Sequence, residues 1–128
     1  MIWTQAIKAL LAAESDVTDL VATRIYPMHA PLNATLPFIT YEVTGNNIEH
    51  TKEEAACNKA RVEVVGYANT YADACTLVSK MNEALARKSY NSGGVVVDKI
   101  FIVEEEIEFL EHPDRYAVVL DIIAFVPL

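Results

Sequence analysis

The chain has 128 residues, 52% of them hydrophobic, and a formal net charge of −8 at pH 7. That length suits one domain, residues 1–128, with a core that needs no disulfide or metal staple, and the apolar content excludes a disordered chain. The acid excess excludes a surface that wraps nucleic acid through basic side chains, and no apolar run is long enough to span a membrane.

Residues 2–13 read as a helix, because Ile2, Trp3, Ile7, Leu10 and Leu11 fall on one side at helical spacing. No charged leader precedes an apolar stretch there, so the segment reads as a mature helix rather than a signal peptide. Ser15 or Asp16 can cap a second short turn, in which Val17, Leu20 and Val21 make an apolar face. Residues 24–26 are short and extended, limited by Pro27. Pro27, Pro31 and Pro37, with Asn33, mark 27–37 as a loop. In 38–45, Ile39, Tyr41 and Val43 alternate with Thr40, Glu42 and Thr44, the pattern of a half-buried strand.

The polar stretch 46–58 lacks a period and is expected to be an exposed loop. A β-branched strand follows at 59–68. Thr70 and Asp73 form a relative of the capping box and open a helix over 70–87. Its stripe comprises Tyr71, Ala74, Cys75, Val78, Met81 and Leu85, with Asp73, Lys80, Glu83 and Arg87 off it. The segment 88–94 stops the helix with Ser, Asn and the pair Gly93-Gly94, a helix-to-strand connection. Two long strands, 95–110 and 115–126, turn at 112–115 through Pro113 and Asp114. The expected fold is α+β: a mostly antiparallel sheet of about four main strands with a long C-terminal hairpin, helices packed on one face.

Little in this chain points to chemistry. His29, His50 and His112 sit in expected loops and lack a second ligand at metal spacing; Glu49, Glu53 and Glu54 beside His50 read as a solvated polar loop. Cys57 and Cys75 have no metal spacing; the two could make one disulfide, but a domain with this apolar content does not need it, so they read as free thiols in a reducing cytoplasm, Cys75 as a small buried hydrophobe. A Cys57–His50 nucleophile has no orienting group marked for it. No phosphate-loop, dinucleotide or nucleophile-elbow motif occurs, and turn chemistry accounts for Gly93-Gly94. No catalytic residue, metal or cofactor is expected.

The unusual feature is the acidic run Glu104, Glu105, Glu106, Glu108 and Glu111. Three accounts of it are open: charges that protect a strand end from aggregation, a surface that repels DNA or meets a partner, and carboxylates for acid–base or divalent-cation chemistry. In a strand, Glu104, Glu106 and Glu108 share one face while Ile107 and Phe109 share the other. A hairpin arm of that kind, extending beyond the core, suits an interlocking subunit contact. Glu104, Glu106, Glu108, Phe109, Glu111 and His112 on the arm, with Asn47, Glu49 and His50 on the expected loop, are the candidate interface residues.

Several stretches together resemble the tail-completion (tail-terminator) family of long-tailed bacteriophages. They are the opening helix with DVTDLVATRIYPMHAP, then LPFITYE, then ARVEVVGYANTYADACTLVSKMNEAL, and finally YAVVLDIIAF. The resemblance implies a virion tail protein, assembled in the host cytoplasm, that caps the finished tail tube and docks the head–tail connector. It also implies rings, commonly hexameric, around a channel through which DNA passes without specific binding. A ring contact of the head-to-tail kind needs two different patches per subunit. Six such chains carry on the order of fifty negative charges, so assembly should depend on salt. Two other classes stay open: a small-ligand-binding oligomeric regulator of α+β type, and a hydrolase built on the Glu cluster with His112.

Overall fold

A computed structural model describes residues 2–50, 55–111 and 114–127, with the side chains of all but Ile2, 46–50 and 55–58. A 3-10 turn, Ile2–Thr4, leads into helix α1 (Gln5–Ala13), which is followed by α2 (Ser15–Val21). Strand β1 (Ile25–Pro27) precedes the proline loop. Strands β2 (Phe38–His50) and β3 (Ala55–Ala68) lead to α3 (Tyr71–Leu85). A small hairpin, β4 (Tyr90–Ser92) and β5 (Val95–Val97), precedes β6 (Lys99–Leu110) and β7 (Arg115–Pro127).

The main sheet has the order β1-β2-β3-β7-β6. Strand β1 runs parallel to β2, and the other neighbours are antiparallel. Helix α3 lies on β3 and β7, and α1 and α2 pack against α3. The α+β expectation therefore holds, with helices on one face and the last hairpin at the C-terminal end. That hairpin is no arm, however. Strand β7 is inserted between β3 and β6, and Val118, Leu120, Ile122 and Ala124 are buried in the core.

Directly paired residues share a face, so the register assigns the two sides of the sheet. Gly66 marks the helix face: a Cβ there would meet Leu77 Cδ2 at 2.6 Å, Met81 Sδ at 2.8 Å and Val118 Cγ2 at 2.9 Å. Its row carries Ile39 and Val118, and the rows beside it carry Tyr41, Val64 and Leu120, then Val43, Val62 and Ile122. These apolar positions and the α3 residues Ala74, Leu77, Val78, Met81, Ala84 and Leu85 close the core between helix and sheet. Among the described residues no helix lies on the opposite, open face.

Local chemistry explains the boundaries. The Thr70 hydroxyl accepts a hydrogen bond from the Asp73 amide at 3.1 Å, as the T-x-x-D pattern predicts. The stripe of α3 is shifted from expectation: Tyr71 is exposed and Cys75, a free thiol, is half-buried, while Leu77 and Ala84 take core positions. Glu14, rather than Ser15 or Asp16, occupies the N-cap of α2, and no side chain caps it.

Gly93-Gly94 does not stop α3. The helix ends at Leu85, with Arg87 at φ 59°, and the glycines form the two-residue turn between Ser92 and Val95. Both have positive φ, 59° and 81°, which suits a tight hairpin turn. The expected strand 95–110 is interrupted at Asp98, where β5 leaves for the small sheet.

The expected loop at 46–58 is another correction. Strand β2 continues to His50 and β3 begins at Ala55, so the pairing runs through the polar residues. Strand β7 reaches Pro127 and pairs with β3 down to Cys57. Backbone ladders on both sides of β3 outweigh the unfavourable composition. Residues 51–54, between the strands, lie outside the described residues.

Candidate functional site

The open face is built from alternate residues of β2, β3, β7 and β6. One row crosses it as Glu42, Glu63, Asp121 and Glu104, each paired with the next. Cross-strand partners stand close enough for like charges to oppose one another. Partial burial raises the Glu63 pKa, and the charges of Asp121, Glu42 and Glu108 raise it further. The next row toward the β6–β7 turn is Thr40, Val65, Val119 and Glu106, and the one after it is Phe38, Tyr67, Ala117 and Glu108. Basic residues of this face lie toward the two ends: Arg115 at one, and Arg61, Lys59 and Lys99 at the other.

The acidic run is thus divided as its alternation predicts. Glu104, Glu106 and Glu108 stand exposed on the open face. Ile107 and Phe109 fall on the helix face, where Ile107 packs against the core. Glu105 shares that side, and Asn82 Nδ2 of α3 donates to its Oε2 at 2.6 Å. Phe109 is 49% exposed, with its ring 5.1 Å from that of Tyr116. Glu111 is exposed just after β6, and His112 lies outside the described residues. Asn47, Glu49 and His50 are strand residues, paired with Lys59, Cys57 and Ala55, and their side chains are not described. They lie at the far end of the sheet from Phe109, so the expected interface residues form two groups.

A cavity of about 380 Å³ opens between the proline loop and the open face. Its floor includes Phe38, Thr40, Tyr67 and Arg115, and the loop supplies Met28, His29, Pro31, Leu32 and Leu36. The Arg115 guanidinium carbon lies 5.6 Å from the Tyr67 ring centroid, and Phe38 and Tyr67 are 4.8 Å apart. Thr40 is 6% exposed. Arg24 anchors the loop's return by donating from Nε to the Pro37 carbonyl at 2.9 Å. Met28, at φ 64°, donates its amide to the Tyr41 carbonyl at 2.7 Å and turns the chain away from β1.

Sequence reasoning missed the carboxylate row and the cavity. Glu42, Glu63 and Asp121 are single acids in three separate strands, and only strand register brings them to Glu104. Their outward phase in each alternating strand is the signal available. Among the described residues, no group of three His, Cys, Asp or Glu is placed to hold a metal ion. No helix among them is long and apolar enough to cross a membrane.

A family model described as tail completion protein gp17 matches residues 5–127. Among solved structures, the chain is similar to one in the structure titled "Virion of native gene transfer agent (GTA) particle". The TM-score is 0.75 at 14% identity, over 95% of this chain and 92% of that one, a likeness of fold. No curated protein matches the chain by sequence.

Proposed function

Since this chain belongs to the tail completion protein gp17 family, a structural component of the phage tail, we propose that it terminates the tail tube as an oligomeric ring and joins it to the head connector. The observation that carries this role onto the geometry is the carboxylate row Glu42–Glu63–Asp121–Glu104 across a face that no helix of the described residues covers. A core-facing row of that kind would be expelled by desolvation, and an aggregation guard would sit on the edge strand alone. A belt of carboxylates suits the wall of a channel through which a polyanion must slide without being held. In the ring, the carboxylate row lines the channel, and the sheet edges, with the proline loop beside β1, meet the neighbouring copies. The likeness to a chain of a virion particle supports a fold that works inside such an assembly.

The test is native mass measurement of the purified chain, then addition of tail tubes. A closed ring that caps tube ends and is needed for connector attachment is expected. A chain that stays monomeric under all conditions and ignores tube ends would sink the role. The second reading, a small-ligand-binding oligomeric domain, draws on the cavity beneath the proline loop. A small molecule retained in the native mass spectrum would favour it.

A further inference from the structure

We propose that the cavity beneath the proline loop receives the β6 edge of the neighbouring copy, residues 106–110, so that this pair of surfaces is the repeating contact of the ring. The contact rests on the ring proposed above and specifies which surfaces close it.

Three observations carry it. The proline loop that roofs the cavity lies beside β1 and the segment lies on β6, at opposite edges of one sheet, while the cavity floor runs inward across β2 and β3 to Arg115 of β7. A head-to-tail contact requires two different patches so placed. They also lie at one level along the strands. The row Phe38, Tyr67, Ala117, Glu108 begins in the cavity floor and ends at the β6 edge, as does the row from Thr40 to Glu106. Rotation about an axis parallel to the strands therefore carries the edge of one copy to the loop of the next without a step along the axis.

Their chemistry is complementary as well. The cavity combines apolar walls with the Thr40 hydroxyl and the Arg115 guanidinium, which lies over the Tyr67 ring. The β6 edge offers exposed Glu106 and Glu108 as acceptors and half-exposed Phe109 as an apolar anchor. Carboxylates entering the cavity meet the cation and hydroxyl, while Phe109 closes on the rim at Met28 and Leu32, both exposed in the single copy. Aromatic anchors in pockets with a cation are the usual energetic centres of protein contacts. At Ile100 the outer backbone of β6 bonds Arg87 and Lys88, but at 106–110 it has no strand partner among the described residues and adds strand-edge hydrogen-bonding capacity.

Two variants each disable one half. Leu32→Glu, at a fully exposed position, places a carboxylate on the rim, and Phe109→Ser removes the anchor. Native mass and light scattering are read with and without tail tubes, with thermal melts to confirm folding. Each variant alone should need roughly 30-fold more protein to assemble, the loss typical of removing an interface anchor. Mixed one to one, they should form dimers and nothing larger, because each supplies one intact half.

Rings formed by either folded variant at wild-type concentrations overturn the contact and leave the ring standing. So does a mixture that gives no dimer. Intact rings that no longer cap tubes assign the cavity to the tail-tube protein and also overturn it. A wild-type chain that never assembles overturns the ring itself. Where either variant melts early, Ala34→Glu and Glu108→Arg replace the two.

Discussion

Glu63 stands between Glu42 and Asp121 on a face that partly covers it, and its pKa is raised by that burial first and by the neighbouring acids next. A carboxyl whose folded pKa exceeds its unfolded value contributes stability below the unfolded pKa. That contribution is lost as pH rises through the folded pKa. Glu63→Gln should therefore raise the melting temperature at pH 7, with the gain shrinking as pH falls toward about 4. Melts across that range check it; a variant less stable than wild type at pH 7 would contradict it. Gly66 poses the opposite problem, since three core atoms already lie within 3.0 Å of any added Cβ. Gly66→Ala should cost about 1–3 kcal/mol by overpacking, read from urea unfolding. The outward phase of Glu63 can be read from the alternation of its strand. The crowding at Gly66 cannot, because it depends on how α3 folds back over β3 and on Val118 of β7.

Among the elements, α3 was the most legible. The Thr70-x-x-Asp73 pattern is used as the cap it predicts. Thr70→Ala should lower stability by about 1 kcal/mol and Thr70→Ser should retain most of it, measured by chemical denaturation. Expectation failed where a partner decided the outcome. The stretch 46–58 has loop composition, yet its backbone is paired through most of its length with strands continuing on either side. Gly93-Gly94 reads as a helix stop until Val95 is seen paired with Ser92 across it. Tyr71 lies on the apolar stripe but at the outer end of α3, where its ring meets Tyr116 at 5.9 Å rather than the core.

For the whole molecule, a charge of −8 per copy makes assembly a contest between contact and repulsion. Raising the ionic strength from about 0.01 to 0.15 M shortens the screening length from roughly 30 to 8 Å. Ring formation should therefore strengthen over that interval, as followed by light scattering; unchanged assembly would mean that the carboxylate belt does not oppose closure. The cation and carboxylates of the proposed contact act in the other direction, so the gain should level off at higher salt.

The amino-acid sequence by itself determined the α+β class, the helix-covered sheet, the family and the division of Glu104, Glu106 and Glu108 from Ile107 and Phe109. Those follow from periodicity and local capping, which act within a few residues, and from motifs that lie in order along the chain. Tertiary structure alone decided that β7 runs between β3 and β6, that Glu42, Glu63, Asp121 and Glu104 form one row, and that the proline loop closes a cavity over Phe38 and Tyr67. The reason is register. A shift of one residue in any strand moves all its side chains to the other face, and that choice is made by how the strands pack together and against α3, which lies on β3, β7 and β6.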